Sequence, residues 1–590
     1  ADADAMVAFC VLGRVPTPLL MRGVLPRCHH SALAATLVHA GLQQGRLATT
    51  TTTTTVRSHL GDNQNNDKLF DNAHIAFKSK GFVELFRAWM IFKVCSVGWV
   101  VRHCDALYGW SRGLLGSHLT HGVLRYTLFN HFCAGETAAE IVPKMQDLRR
   151  YGIGGILDYA AEAKDDALPK AEKALDEAET LGAPLSARKY VYESEALCDA
   201  NAKIFMDAIR AVKDSTPDGF AAMKMSALGD PSLLERMSTC LVETANLFQT
   251  VSRCGEVQAS DQPRQPYYCM DLTFNMDWET FREGWQSQFI VRDEEELHQK
   301  FKELDTDGDG IISYLEWAES LRLSELNMLV KQSCKEQGPV YRSALDEEEV
   351  RLYRNLCNRV KGIMSLAQEL GVRVMVDAEW MDIQPAIDHM VIFLQRIYNL
   401  QDRPVVFQTY QTYLKGMPNS VQRDLERSHK EGWHFGAKVV RGAYMVSERE
   451  KARQRGVESP VCETYQDTEA SFHTTIDMIL GHNAGGALGR GAEILIASHN
   501  QGSIEHTVRR MDELKKDKNQ VYFGQLMGMA DHLTYTLGMN GYKAYKYVPY
   551  GPIDEVVPYL IRRTQENSAI LGSPGVQEER SMVGRELLRR

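Results

Sequence analysis

Short runs of consecutive apolar residues recur along the chain, and longer stretches with helical spacing separate them. The runs are GGILDY (154–159), GFAAMKMSAL (219–228), VRVMVDAEW (372–380), RPVVFQTYQ (403–411), FGAKVVRGAYM (435–445), EILIASHN (493–500), QVYFGQLMGM (520–529) and YKAYKYVPYG (542–551). Strands that alternate with helices form a parallel sheet, and near-continuous apolar runs are typical of strands buried on both faces. Eight such units predict an α/β fold, a closed (β/α)8 barrel. An open doubly wound sheet is the alternative, although no G-x-G-x-x-G opens the first helix.

Polar side chains collect where the predicted strands end. They are Lys224, Asp377, Glu379, Gln408, Arg441, Tyr444, His499, Asn500 and Tyr547. In a (β/α)8 barrel the carboxyl ends of the strands build the active site. The sequence therefore predicts a site at this end of the barrel.

The units are unevenly spaced. About 145 residues separate KMSAL from VRVMVDAE, far more than one crossover needs, so we expect an inserted subdomain there. The predicted organisation is a leader at 1–60, a helical region at 61–150, the barrel at 151–250 and 346–575, the insertion at 251–345 and a tail at 576–590.

The leader differs in composition from the rest of the chain. From Met6 to Leu60 there is no Asp or Glu, whereas arginines recur and a threonine run fills 49–55. This composition is typical of a mitochondrial transit segment, and a disordered tail is the alternative. The net charge of −10 argues against a nucleic-acid partner. The twelve cysteines contain no C-x-x-C pair, which argues against a zinc site or a disulfide scaffold.

One apolar stretch, Leu85 to Val101, raises the question of a membrane span. It contains Arg87 and Lys93 and is short for crossing a bilayer. We therefore predict a core helix, with an interfacial helix as the alternative.

The insertion contains the twelve-residue stretch DTDGDGIISYLE, residues 305–316, which matches the EF-hand calcium loop at each diagnostic position. The predicted Ca²⁺ ligands are Asp305, Asp307, Asp309, the carbonyl of Ile311 and Glu316. An acidic turn without a metal is the alternative. Upstream, NMDWETFREGW (275–285) resembles the exit of a second, degenerate hand, with Met276 at position 8 and Thr280 in place of the final ligand.

Taken together, KMSAL, VMVDAE, VVFQTYQ, KVVRGAY, ASHN, FGQLMGM, YKYVPYGP and YLIRRTQEN (559–567) resemble the proline dehydrogenases of the eukaryotic mitochondrial type. The match runs in order from about residue 120 to 570. The resemblance implies FAD in a distorted barrel and oxidation of L-proline to Δ1-pyrroline-5-carboxylate, with hydride passing from proline C5 to flavin N5. It further implies transfer of electrons to ubiquinone, a mitochondrial matrix location and peripheral association with the inner membrane.

The resemblance also assigns a role to the arginine pair in YLIRRTQEN. Arg562 and Arg563 are expected to bind the proline carboxylate, and Glu566, one turn later, to hold them. On the residues alone, a weak surface ion pair is the alternative.

Other positions complete the implied substrate site. Lys224 is expected to add a third positive charge, Tyr547 to pack against the pyrrolidine ring, and Leu526 to close the apolar side. Asp377 is expected to order the polar network between Lys224 and Tyr547. The expected catalytic residues are Lys224, Asp377, Tyr547, Arg562 and Arg563. The expected FAD contacts are Gln408, Lys438, Arg441, Gly442, Ala443, Ser498, His499 and Asn500.

Two rival interpretations stay open at the level of sequence. Hydroxyproline dehydrogenase is the sister enzyme, and a small residue in place of Tyr547 would favour it. A catalytically inactive, Ca²⁺-responsive scaffold on the same barrel is the other.

Overall fold

The structure is a computed structural model of the 590-residue chain. It describes residues 70, 77, 80–159, 192, 194–253, 266–320, 333–336, 338–482, 491–570 and 574–590, without the side chains of 105, 138, 562, 565–570 and 574–578. The predicted leader, 1–60, lies outside the described residues.

Parallel strands close into an eight-stranded barrel. The strands in the described residues are β1 (Ile153–Tyr159), β2 (Phe220–Met223), β3 (Asn275–Met276), β4 (Ile312–Ser313), β5 (Arg373–Val376), β6 (Val406–Gln411), β7 (Phe435–Val440), β8 (Ala492–Ala497), β9 (Val521–Leu526) and β10 (Lys543–Tyr550). Around the barrel the order is β1-β10-β9-β8-β7-β6-β5-β2. Because β1 pairs with β10, from Ile153 with Ala544 to Tyr159 with Tyr550, the sheet has no free edge. The (β/α)8 prediction is confirmed, and the open sheet is wrong.

Helices surround the barrel. The α-helices in the described residues are α1 (Phe82–Cys95), α2 (Gly98–Arg102), α3 (Cys104–Leu124), α4 (Asn130–Phe132), α5 (Ala138–Arg150), α6 (Glu195–Ser215), α7 (Pro231–Ser252), α8 (Trp278–Gln288), α9 (Glu294–Leu304), α10 (Tyr314–Ser320), α11 (Pro339–Ser343), α12 (Glu347–Leu370), α13 (Gln384–Tyr398), α14 (Met417–Glu431), α15 (Met445–Arg455), α16 (Tyr465–Gly481), α17 (Gln501–Glu513), α18 (Asp531–Met539), α19 (Ile553–Ile570) and α20 (Pro574–Arg589).

Helix α12 shows how local sequence sets these boundaries. Asp346 and Glu349 form a reciprocal capping box at its start, satisfying two backbone N–H groups that have no partner within the helix. At its end Gly371 adopts a left-handed conformation, with φ of 66°, which glycine tolerates without a steric penalty. The chain then enters β5 directly.

The barrel interior is filled by aromatic side chains. Phe220 lies edge-to-face against Phe407, Tyr522 and Tyr545, with ring centroids 5.2 to 5.4 Å apart. Such pairs add to the free energy gained from burial alone. The barrel is therefore a packed core whose open end lies at the carboxyl termini of the strands.

The N-terminal helices pack on one face only. In α1, residues Leu85, Ala88, Ile91, Phe92 and Cys95 are buried. The stretch Leu85 to Val101 is not one helix, because α1 ends at Cys95 and α2 begins at Gly98. Its buried face agrees with the core-helix prediction, whereas Phe86, Val94 and Trp99 are 42–53% exposed, as the interfacial alternative would have them. No helix in the described part of the chain is long and apolar enough to cross a membrane.

The predicted C-terminal tail, 576–590, is largely helical as part of α20. Its Met582 and Val583 are buried against Leu85, Ala88 and Phe92 of α1. The two ends of the described chain therefore pack against each other.

The insertion contains a small antiparallel ladder, in which Met276 pairs with Ile312. This is the register expected if the position-8 residues of two hands face each other. Phe281, Trp285, Phe301 and Trp317 are buried around the ladder and form a core separate from that of the barrel.

Candidate active site at the carboxyl end of the barrel

A carboxylate with two lysines lies at the mouth of the barrel. The Lys438 ammonium, on β7, lies 2.5 Å from Asp377 Oδ1, and that of Lys224, just after β2, lies 3.8 Å from Asp377 Oδ2. The Tyr547 hydroxyl, on β10, donates to Asp377 Oδ2 over 3.3 Å. Three strand ends separated by more than 300 residues in sequence therefore meet at one carboxylate, as predicted for Lys224, Asp377 and Tyr547.

The charge state of Asp377 follows from its neighbours. Burial alone would raise its pKa, but the Lys438 and Lys224 ammonium groups outweigh burial and hold the pKa of Asp377 below its ordinary value. The carboxylate is therefore ionised at neutral pH. Glu379 is also buried beside Lys224, but burial raises its pKa and so favours its uncharged form. With two cations facing the Asp377 anion, the cluster can accept a further negative charge from a ligand.

An apolar wall adjoins this cluster. Tyr547 packs against the barrel-interior cluster that contains Phe407 and Tyr545. Leu526, the last residue of β9, packs among Met529 and Tyr559. The arrangement therefore offers charge on one side and apolar surface on the other.

Arg441 forms a second polar centre at the end of β7. Its guanidinium donates to Ser498 Oγ and Ser503 Oγ, each over 2.9 Å, and lies 4.6 Å from the centre of the Phe472 ring. Its Nε is buried and has no hydrogen-bond partner in the described part of the chain. One buried donor is therefore left for a ligand.

His499 and Asn500 have structural partners. His499 Nε2 accepts the Leu526 N–H over 3.0 Å. Burial, together with Lys546 and Arg563, lowers the pKa of His499 to about 3, so the ring is neutral and its proton lies on Nδ1. Asn500 caps α17 by accepting the Ser503 N–H over 2.9 Å, so the start of this helix faces the mouth of the barrel.

Gly442 follows Arg441 with a φ of 136°, a conformation that favours glycine. A Cβ at this position would come within 1.5 Å of the Tyr413 ring. The glycine is required by this aromatic packing, and Ala443 continues the turn into α15.

Helix α19 carries the arginine pair. The Arg563 guanidinium lies 4.9 Å from the centre of the Tyr559 ring, and its charge contributes to the low pKa of His499 at the barrel mouth. Arg563 therefore lies on the side of the helix that faces the site. The backbone positions of Arg562 and Glu566 are helical, but their side chains lie outside the described residues, so the predicted pairing between them stays a prediction.

The sequence is similar to a known protein family and to several characterised relatives. The family model for proline dehydrogenase matches residues 141–573. The chain belongs to the proline dehydrogenase family. Proline dehydrogenase 1, mitochondrial, of Caenorhabditis elegans is 33% identical over 566 residues, covering 89% of this chain and 88% of the relative. The human protein of the same name is 34% identical, covering 88% and 89%. Human hydroxyproline dehydrogenase is 30% identical, covering 87% and 92%.

One residue assigned to this family's cofactor site is placed elsewhere. Val406 and Tyr410 of β6 lie in the core between the barrel and its helices, whereas Phe407 lies in the barrel interior. Because side chains alternate along a strand, Gln408 faces the helices. Its Nε2 donates to Asp388 Oδ1 on α13 over 3.0 Å. The structure therefore does not bring Gln408 together with the other predicted FAD contacts.

Gln411 is a polar side chain near the Asp377 cluster that was not predicted from the sequence. It lies on the same face of β6 as Phe407, and its Nε2 donates to the Glu379 carbonyl over 2.9 Å. Glu379 is buried beside Lys224, and its carboxylate accepts the Ser226 N–H over 3.0 Å. The signal that could have found Gln411 is the two-residue period counted from Phe407.

The predicted cation loop brings its three aspartates together. Carboxylate oxygens of Asp305, Asp307 and Asp309 all lie within 4.8 Å of one another. Glu316 does not belong to this group, because its carboxylate accepts N–H bonds from Thr306 and Ser313 over 3.1 and 2.9 Å.

A lysine of the barrel reaches the same loop. Lys430 of α14 lies 2.6 Å from Asp307 Oδ2, so an ammonium group already neutralises one of the predicted ligands. Ile311, predicted to supply its carbonyl, lies at the turn between Gly310 and β4.

Proposed function

We propose that this chain oxidises L-proline to Δ1-pyrroline-5-carboxylate with FAD as its resident cofactor. The observation that carries the proposal is the cluster of Asp377, Lys438 and Lys224 beside the apolar wall of Tyr547 and Leu526. Proline has the same asymmetry, with a charged carboxylate at one end and an apolar ring at the other. The family match of residues 141–573 supports the same substrate.

Three features suit the binding of FAD. The buried Nε of Arg441 lacks a partner in the described residues, and the start of α17 presents N–H groups of the kind that bind phosphate. Ser498 accepts a hydrogen bond from Arg441, and Lys438, which belongs to the substrate cluster, lies on β7 three residues before Arg441. When bound, FAD supplies the acceptor for the hydride that leaves proline C5.

The chain's own residues would orient the substrate. Lys224 and Arg563 would bind its carboxylate, with Arg562 beside them. The Tyr547 ring would pack against the pyrrolidine, and its hydroxyl is already held by Asp377 Oδ2. Anchoring one end and packing the other aligns the C5 hydrogen, which removes much of the entropic cost of reaction. Packed aromatic residues beneath the site exclude water from it.

The absorption spectrum of the purified full-length protein tests this proposal. We expect a bound flavin whose visible absorbance bleaches when L-proline is added without oxygen and returns with an electron-accepting dye. A protein that binds flavin but is not reduced by proline would support the inactive-scaffold alternative, and a protein without flavin would refute the cofactor assignment.

Hydroxyproline oxidation is the second candidate, because relatives of that name are similar over nearly the same part of the chain. The full-sized Tyr547 side chain leaves less room for a ring hydroxyl, which favours proline. Comparison of kcat/KM for the two amino acids decides between them.

We also propose that the enzyme docks peripherally on the inner mitochondrial membrane and passes electrons to ubiquinone. The exposed side of α3 supports this, since large apolar side chains there lack protein cover. They are Trp110 (68% exposed), Leu114 (85%), Leu115 (54%), Leu119 (64%) and Val123 (60%). Residues 82–126 contain five Lys or Arg and two Asp or Glu, although the chain's net charge is −10. An apolar face with local positive charge fits an anionic lipid surface.

Flotation with cardiolipin-containing vesicles tests this docking surface. We expect Leu114→Glu to release the protein, whereas Leu588→Glu, which changes an equally exposed leucine on α20, should not. Equal flotation of both variants would refute the assignment of α3. Mitochondrial relatives further support a matrix enzyme whose residues 1–60 are removed on import, which N-terminal sequencing of the mature protein would test.

Finally, we propose that the loop 305–316 binds one Ca²⁺. Asp305, Asp307 and Asp309 are already grouped, and binding would require Glu316 to leave Thr306 and turn toward them. Glu316→Gln should lower Ca²⁺ affinity by about tenfold or more, because the bidentate carboxylate is lost. Calorimetry that shows equal binding to both proteins would exclude the proposed role of Glu316.

A further inference from the structure

The loop between β9 and α18, residues 527–530, contains a strained residue. Ala530 has φ of 49° and ψ of 41°, the left-handed conformation. For a residue with a Cβ, this conformation is disfavoured about fivefold or more relative to the right-handed one. Ala530 is also buried. Some other group must therefore hold this backbone in place.

That group is a carboxylate from the far end of the chain. Glu579 of α20 accepts the Ala530 N–H over 3.0 Å and the Asp531 N–H over 2.8 Å, one with each oxygen. Its side chain is 4% exposed. These N–H groups begin α18, where a negative charge is favoured by the helix dipole. Two charge-assisted bonds thus fix the strained residue.

The other end of the loop reaches the proposed substrate pocket. The Lys546 ammonium donates to the Leu526 carbonyl over 3.2 Å and to the Met529 carbonyl over 2.6 Å. Met529 is buried against Tyr559 and Leu560 of α19, the helix that carries the arginine pair. A displacement of the loop therefore moves both the apolar wall and the carboxylate-binding helix.

We propose that Glu579 is a positioning residue for the substrate pocket. By holding Ala530 in its left-handed conformation, it fixes the loop that places Leu526 and supports α19. The inference rests on the proposed function, because it takes Leu526 and Arg563 as substrate contacts. It gives α20 a role that a passive C-terminal tail would not have.

Steady-state kinetics of the full-length, flavin-loaded enzyme tests the proposal. Glu579→Ala should raise KM for proline by about tenfold, since two buried donors lose their acceptor and the loop relaxes. Ala530→Gly in the same protein should regain about fivefold, because glycine adopts the left-handed conformation without strain. Rescue at a second residue is not expected if Glu579 merely stabilises the fold.

Glu586→Ala is the matched control. Glu586 lies on the same face of α20, is equally buried, and binds Arg589 and Arg590 at the end of its own helix. It should leave KM unchanged. If Glu579→Ala does not yield folded protein, Glu579→Gln keeps the side-chain volume and still places an NH₂ group against one of the two N–H donors.

The outcomes separate two failures. A wild-type enzyme that does not oxidise proline would overturn the proposed function itself. If the wild-type enzyme is active, any one of three results would overturn the role of Glu579 alone. The Ala and Gln variants could keep the wild-type KM, Glu586→Ala could raise KM as much as Glu579→Ala does, or Ala530→Gly could give no recovery of KM.

Discussion

Replacement of Asp377, at the mouth of the barrel, and of Asp388, on helix α13, should change the stability of the protein by different amounts. Asp377 contacts Lys438 at 2.5 Å and Lys224 at 3.8 Å, with all three side chains at most 14% exposed. Asp388 instead accepts hydrogen bonds from Tyr268 and two glutamines, and desolvation raises its pKa to about 7.

Replacing Asp377 with Asn leaves two lysines without their counter-charge. Removing one partner of a buried ion pair costs about 3–5 kcal/mol, and we expect the lower value, about 3 kcal/mol, because the site opens at the barrel mouth. Asp388→Asn should change the free energy of unfolding by less than about 1 kcal/mol at pH 7, since desolvation already favours the uncharged, protonated form of this side chain.

The pH dependence gives a second check. The pKa of Asp377 is lowered in the folded protein, so its contribution is present above the ordinary value near 3.8 and is lost as pH falls through the lowered value. The pKa of Asp388 is raised, so its contribution is present at low pH and is lost as pH rises through about 7. Between pH 6 and pH 8 the free energy of unfolding of Asp388→Asn should therefore rise relative to that of the wild type, whereas that of Asp377→Asn should not.

Urea unfolding at fixed FAD concentration, followed at pH 6, 7 and 8, measures both effects. Equal losses for the two variants at pH 7 would refute the reasoning, because they would show that the lysines contribute nothing specific at Asp377.

Three further outcomes are expected. Arg563→Met should lower kcat/KM for proline by at least about 30-fold, the loss typical of a desolvated charge contact, with FAD content unchanged; a normal KM would restore the surface-pair interpretation. Tyr547→Ser should shift the ratio of kcat/KM toward 4-hydroxyproline by about 10- to 200-fold, and an unchanged ratio would show that Tyr547 does not set ring specificity. Lys430→Met should raise the Ca²⁺ affinity of the loop by up to about fivefold, the value of an exposed ion pair, because Asp307 loses a competing cation; calorimetry showing no gain would remove Lys430 from the account.

The sequence was sufficient for the strands but not for the direction of every side chain. Each predicted run overlaps one barrel strand, because a buried parallel strand is apolar on both faces. For the same reason the run VVFQTYQ carries no inside-outside alternation to show that Gln408 points outward and Gln411 inward. In the structure, the packing of Phe407 inside the barrel shows which side chains of β6 point inward.

Contacts between segments distant in sequence could not be predicted either. Residues 576–590 were predicted only as a C-terminal tail, and the segment is rich in Glu and Arg. Their buried face depends on α1 and on the loop before α18, and nothing within the segment indicates those partners. By contrast, the sequence predicted that Lys224, Asp377 and Tyr547 would meet, because all three lie toward the carboxyl ends of strands of one barrel.

Closure of the barrel between β1 and β10 has a consequence for how the chain reaches its native state. Ile153 finds its partner Ala544 only after nearly the whole sequence is available, with the insertion folded in between. Pairing over such a separation is slow, and until it occurs β1 and β10 each present an unpaired edge to other chains. We therefore expect folding to depend on dilution or on chaperones, and aggregation to compete most strongly in truncations that remove β10.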